Sequence, residues 1–343
     1  MSINNTLEEI LENNINYGKN NIGLSKKINI EMAYNLSKSL SSSDINNIIY
    51  IDNLSRILEY CGYEVEKEIY IIINNESHKD KIIINNKIEE LKKTLDYYRV
   101  NINIYSTTKE LEDNYIIEDF LTKLRYEDKC YIDNNKLLLK NNNNKKYILL
   151  DEDGNYSDLS IDIVHIKQKL SNKYNKTIII DNYYNPQLKE IYNDLNFDNN
   201  LIEFIKKTDI SINIKEIEDL NSIRVLNVNN KITPEDLIII NTMNNKINSI
   251  INNNKKIDNY NIIKSEITYN IINKLIIFKE VIIKTCEFLN PIILLEYIIE
   301  LNKITNNYIN QVENIDKNVI NLLKAIKIVN NNALKLIGVI PKD

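Results

Sequence analysis

Between residues 17 and 74 two short β-branched runs, Ile28 to Ala33 and Val65 to Ile73, flank a stretch in which Ile48, Ile51, Leu54, Leu58 and Cys61 recur every three or four positions. The runs predict strands, the recurrence predicts a helix over about Ile45 to Cys61, and Gly62 marks the turn into the second strand. Together they make a βαβ unit. In such a unit the loop after the first strand lies at the carboxyl edge of a parallel sheet, where nucleotide-binding folds hold their ligands. Chemistry is therefore expected between Asn35 and Asp44, a loop rich in Ser and Asn.

Residues 1 to 16 predict a short helix with Leu7, Ile10 and Leu11 on its apolar side. Residues 81 to 99 are amphipathic through Ile84, Ile88, Leu91, Leu95 and Tyr98, and lead into the strand-like VNINIYS. From about Pro234 to Asp343 the pattern is helical throughout. Ile315, Val319, Leu322, Ile326, Val329, Ala333 and Leu336 share one stripe, and Gly338 followed by Pro341 ends it. The asparagine runs Asn141 to Asn144 and Asn252 to Asn254 read as loops.

Several phrases carry a resemblance. Tyr17, Gly18, Lys19, Asn21, Ile22, Gly23, Lys26, Lys27 and Glu31 follow the pattern YGKSNIG-x-GKK-x-(D/E). Asn35 and Lys38 follow N-I-A-K, and Ile57, Leu58, Glu59, Gly62, Tyr63 and Val65 follow I-L-E-x-x-G-Y-x-V. These phrases belong to arginyl-tRNA synthetase, a class I aminoacyl-tRNA synthetase, which the chain resembles. With a one-residue deletion before Asn35, the register sets Ser41, Ser42, Ser43 and Asp44 against the family's H-I-G-H. At residues 149 to 170, Asp153, Gly154, Tyr156, Asp162 and Ile163 coincide with a second family phrase. Its helix recognises arginine in the family through an aspartate and a tyrosine four residues earlier. Asp162 keeps the first and Asp158 replaces the second. Residues 175 to 198 resemble the family's next strand and helix, with Asp181 to Tyr184 in the loop beside the adenosine and amino-acid pockets. IRVLNVNN is the nearest counterpart of the K-M-S-K-S loop, with only Lys215, Arg224 and Lys231 singly in reach, and ALKLIGVIPKD resembles the end of the anticodon-binding bundle.

The resemblance implies a Rossmann-type parallel α/β domain over residues 17 to 233, followed by an all-α, DALR-type anticodon-binding bundle over 234 to 343. Residues 1 to 16 stand where full-length members carry a domain that contacts the tRNA elbow. It also implies an amino-acid pocket of Asn35, Asp158, Asp162 and Tyr184. Lys303, Lys317, Lys324, Lys327 and Lys335 are candidates for a tRNA-facing surface, although lysines interspersed on amphipathic helices also serve simply as a solvated face.

In a working class I enzyme the two histidines of H-I-G-H stabilise the pentavalent phosphate of adenylation. Ser41 to Asp44 bring neither cation nor glycine, and each strong donor lost costs on the order of 100-fold in rate. No catalytic residue is expected intact, and ATP is expected as a cofactor only if the chain is a divergent ligase. The plainer role for this segment is a helix cap, with Ser42, Ser43 or Asp44 accepting from the first amides.

A net charge of -5 gives no global field drawing the chain to nucleic acid, which leaves a local basic face as the means of contact. Cys61, Cys130 and Cys286 lie far apart beside apolar runs and read as buried free thiols. Neither a signal peptide nor a membrane-length apolar stretch is evident, so a cytoplasmic protein without membrane or DNA partners is expected. His78 reads as a solvated loop residue, and the D-x-x-H of Asp162 and His165 is a weak metal signal, so no metal site is expected. Three functions follow: a catalytically impaired synthetase relative that binds tRNA or a protein, an arginine-tRNA ligase with divergent motifs, or an interaction protein without RNA, such as a partner of an intact synthetase.

Overall fold

The computed structural model describes residues 3–73, 81–141, 145–171, 174–180, 186–192, 194–195, 197–198, 200–205, 217, 219–254 and 265–341. In chain order they form α1 (Ile3–Asn13), β1 (Lys27–Asn35), α2 (Ser42–Tyr60), β2 (Glu64–Ile72), α3 (Lys81–Tyr97), β3 (Ile104–Thr107), α4 (Thr108–Asp113) and α5 (Ile116–Tyr126). Three short strands follow, β4 (Cys130–Asp133), β5 (Lys136–Leu139) and β6 (Tyr147–Leu150), then α6 (Asp158–Ser171), β7 (Lys176–Ile180) and β8 (Ile202–Ile205). The rest is helical: α7 (Leu220–Val228), α8 (Pro234–Asn253), α9 (Glu266–Glu287), α10 (Pro291–Gln311) and α11 (Lys317–Leu336).

Two compact units form, and neither is continuous in the chain. One gathers residues 26–51 and 64–209, the other residues 1–25, 52–63 and 210–343. Residues 17–233, one domain by sequence, are thus shared between both units.

The first unit is built on a five-stranded parallel sheet in the order β3-β2-β1-β7-β8. Central strands of such a sheet are covered on both faces, so β1 is buried along its length, although Asn29 and Glu31 interrupt its apolar run. Every residue from Ile28 to Tyr34 is buried. β4, β5 and β6 make a separate antiparallel sheet. Leu121, Leu139, Tyr147, Ile163 and Ile179 share one core, joining α5, the small sheet, α6 and β7.

In the second unit the predicted stripe from Val319 to Leu336 is buried. α8 starts from a capping box, Thr233 accepting from Asp236 and Asp236 reaching back, with Pro234 in the first turn. Two local expectations change. The run Asn252 to Asn254 closes α8 instead of forming a loop, with Asn254 as its C-cap. Where a helix was expected within 175–198, the described residues show a 3₁₀ turn, Pro186–Glu190. Leu188, Ile191, Tyr192 and Leu195 still bury there, and the Ile191 amide donates to the Leu188 carbonyl, three residues back. The Leu195 amide donates to the Ile191 carbonyl, four residues back, so a 3₁₀-type turn is followed by an α-type bond among the described residues.

The three cysteines are buried and free, as expected. Among the described residues no helix is long and apolar enough to cross a membrane.

Candidate functional site

β1 ends at Asn35 on the carboxyl edge of the parallel sheet. Asn35 Oδ1 accepts from the Ser37 amide at 3.0 Å and the Ser37 hydroxyl at 2.6 Å, folding the chain into a side-chain turn. The Tyr34 hydroxyl donates to the Lys38 carbonyl at 2.8 Å. α2 then begins with a closed reciprocal cap. Ser41 Oγ accepts from the Asp44 amide at 3.1 Å, while Asp44 Oδ2 accepts from the Ser41 amide at 2.9 Å and the Ser41 hydroxyl at 2.6 Å.

The cap expected from Ser42, Ser43 or Asp44 is thus made by Ser41, one residue earlier. The reason is spacing: a serine reaches the amide three residues on, and only from position 41 does a carboxylate stand there to answer. A helix N-terminus favours an anion. Here buried Asp44 supplies that anion from the chain itself.

α6 carries the candidates Asp158 and Asp162. Asp158 is exposed in the first turn, after Ser157 Oγ has accepted from the Ser160 amide, whereas Asp162 is buried. One turn further on, His165 Nε2 lies 2.9 Å from both carboxylate oxygens of Glu31. Lys169 Nζ is 2.7 Å from Glu31 Oε2 and also pairs with Glu68. Glu31 and Glu68 are direct neighbours on β1 and β2. Asn29 Nδ2 at 3.0 Å and the Ser106 hydroxyl complete the surroundings of Glu68, and the Tyr70 ring stacks on His165 with centroids 3.6 Å apart.

This network was not foreseen. Its signals were charges where a central strand should be apolar, and His165 and Lys169 one helical turn apart. His165, whose D-x-x-H spacing from Asp162 is a weak metal signal in the sequence, faces Glu31. Glu31, Glu68 and His165 stand close enough to hold a metal. The Lys169 ammonium already bridges the two carboxylates, so the protein supplies its own cation. Burial alone would raise the Glu31 pKa, but His165 and Lys169 outweigh it and hold the carboxyl well below its usual range. Burial likewise opposes the Lys169 charge, and Glu31 and Glu68 reverse that, raising its pKa.

In the second unit the counterpart of the lysine loop, IRVLNVNN, is helical, within and just after α7. Arg224 is fully buried, with Nη1 donating to Asp52 Oδ2 at 2.8 Å and Asn53 Oδ1 at 3.2 Å. It is a core ion pair. Of the five candidate lysines, Lys324, Lys327 and Lys335 converge on a groove of about 360 Å³ that Leu11, Ile15 and Asn14 also line. Lys303 instead pairs with Asp236 at 2.7 Å, and Lys317 opens α11 outside the groove lining. Tyr184, with Asp181 to Tyr183, Lys215 and His78, lies outside the described residues.

Comparison with known proteins bears on both units. Residues 239–343 match the DALR anticodon binding domain. A solved structure from Campylobacter jejuni, named as an arginyl tRNA synthetase, superposes over 100% of this chain and 99% of its own with a TM-score of 0.79 and 18% identity. The arginyl-tRNA synthetase of Thermus thermophilus superposes over 98% of this chain and 85% of its own, with a TM-score of 0.73 and 12% identity. The chain is arginyl-tRNA synthetase-like. At these identities the structural likeness is one of fold: a class I synthetase core with a helical anticodon-binding domain. A curated relative, the arginine-tRNA ligase of Pyrococcus abyssi, is 39% identical over 64 residues, which is 18% of this chain and 10% of that protein.

Ser41 and Asp44, set against the ends of H-I-G-H, are tied into a helix cap, and Arg224, within IRVLNVNN, is held in the core. In these segments Asp44 brings a negative charge and Arg224 keeps its positive charge on Asp52.

Proposed function

We propose that the chain binds tRNA through its anticodon-binding-type helices and does not form arginyl-adenylate. The observation that carries this reading is the convergence of Lys324, Lys327 and Lys335 on one groove within the region matched by the DALR anticodon binding domain. Three ammonium groups with no carboxylate in the lining suit a phosphate backbone, where each neutralised phosphate releases a counterion. The local basic face offsets the net charge of -5.

The non-catalytic half of the reading is supported by Ser41 and Asp44. Adenylation asks for donors aimed at a phosphate in flight, and such donors account for several kcal/mol of transition-state stabilisation. The Ser41 amide and hydroxyl and the Asp44 amide are spent on each other.

A gel shift of the full chain against total tRNA, run from about 50 to about 200 mM salt, tests the binding. A retarded complex whose affinity falls steeply with salt is expected. Absence of a complex, or affinity indifferent to salt, would turn the assignment toward a protein partner.

A further inference from the structure

Two of the chain's three cysteines, 225 positions apart from 61 to 286, meet inside the second unit. Cys61 stands just after α2, Cys286 lies in the last turn of α9, and both are buried. Their thiols share a hydrogen bond, the Cys286 S–H donating to Cys61 Sγ. A second donor, Asn20 Nδ2, reaches the same sulfur at 3.6 Å. Backbone bonds hold that donor in place: the Asn20 amide donates to the Tyr60 carbonyl at 3.2 Å, and the Gly23 amide to the Cys61 carbonyl at 2.9 Å.

The two donors make the sulfurs unequal. A helix C-terminus disfavours an anion, and burial disfavours it further. At Cys61 the hydrogen bond from Cys286 outweighs both and holds the thiol below its ordinary range, while the same bond and burial push Cys286 up. A sulfur that yields its proton readily, beside one that keeps it, is the arrangement of an attacking and a resolving cysteine. Tyr63, half-buried and close enough to feel both sulfurs, marks the solvent side of the pair. Cys130 lies in the first unit, buried and without a second cysteine to answer it.

We propose that Cys61 and Cys286 form a redox modification site that takes a hydroperoxide and closes to an intramolecular disulfide. The Cys61 thiolate attacks the peroxide O–O bond, which breaks to leave a sulfenic acid on Cys61. The departing oxygen takes the proton that Cys61 gave up and leaves as an alcohol, or as water when the oxidant is hydrogen peroxide. The Cys286 sulfur then attacks the sulfenic sulfur, the S–O bond breaks, and its oxygen leaves as water with the Cys286 proton. The two thiols lose two electrons and the peroxide gains them. Sulfurs already in hydrogen-bonding reach are a short side-chain movement from the roughly 2.05 Å of a disulfide. The site does not rest on the tRNA reading.

Treating the reduced full chain with hydrogen peroxide, then blocking free thiols in denaturant and mapping peptides without reductant, tests it. Loss of two thiols per chain is expected, with one cross-linked species joining the Cys61 and Cys286 peptides, reversed by dithiothreitol, and with Cys130 still a thiol. In Cys286→Ser, Cys61 should stop at the sulfenic acid and be captured by dimedone, whereas in Cys61→Ser, Cys286 should stay reduced. The proposal is overturned if the native chain gives no Cys61–Cys286 cross-link, if the cross-link joins different chains, or if Cys130 is oxidised as fast as Cys61. Capture of Cys286 in Cys61→Ser as fast as that of Cys61 in Cys286→Ser would overturn the assigned roles. Thermal melts that match the native chain establish that the variants are folded, and the native chain alone decides the cross-link.

Discussion

Ser41 and Asp44 satisfy each other: the Ser41 hydroxyl donates to the Asp44 carboxylate at 2.6 Å, and the Asp44 amide donates back to the same hydroxyl oxygen at 3.1 Å. The pair fixes the start of α2, the helix that joins the first two strands of the parallel sheet. Ser41→Ala removes the acceptor and leaves buried Asp44 with fewer donors, so stability should fall by about 1 kcal/mol. Urea unfolding reads this as a lower midpoint with an unchanged slope.

Lys169 is the cation between two buried carboxylates. Lys169→Met leaves Glu31 and Glu68 facing each other across adjacent strands, and breaking a buried pair from one side costs about 3–5 kcal/mol. Many marginal proteins would not fold after such a loss, so circular dichroism of the purified variant is the first readout.

The same network gives a pH dependence. Glu31 has a folded pKa depressed below its ordinary value of 4.5. Its contribution is fully present above that value and is lost as pH falls toward the depressed folded pKa. Melting temperature should therefore hold above the ordinary carboxylate range and drop below it. In Glu31→Gln that portion of the drop should vanish.

Gly338 sits at φ +72°, and a Cβ added there would lie 2.7 Å from Arg224 Nη1. Gly338→Ala therefore meets both an unfavourable backbone conformation and the buried Arg224–Asp52 pair. A loss exceeding about 1 kcal/mol is expected, since positive φ alone costs a side chain about that much. Thermal unfolding of the single variant checks it.

For tRNA, replacing Lys324, Lys327 and Lys335 together by Gln should weaken binding and flatten its salt dependence. Three phosphate contacts correspond to a loss of about 2 to 3 in the slope of log affinity against log salt. Lys303→Gln, which removes a lysine already paired with Asp236, should leave that slope nearly unchanged.

Much of the fold was legible because local and global signals agree. Ile48, Ile51, Leu54 and Leu58 bury on α2 and Cys61 buries just after it, and the βαβ unit they imply is the centre of the sheet. The site was legible only in outline. The segment from Ser41 to Asp44 was located and its capping role read, but which serine makes the cap depends on a pairing that composition alone leaves open. Glu31, Glu68 and Lys169 were missed as a network because they come from two strands and a helix up to 138 positions apart, from 31 to 169. Likewise, five lysines on the helices look equivalent in sequence, and only packing against α1 singles out three. The second unit's discontinuous make-up has the same origin, since residues 52–63 join it by contact and not by chain order.

Arginine-dependent exchange of pyrophosphate into ATP, run on the full chain with and without tRNA, tests the central claim most directly. Exchange at the background of a protein-free control is the result predicted from the Ser41–Asp44 cap and the buried Arg224. Robust exchange that requires arginine would contradict it and make the chain a working ligase.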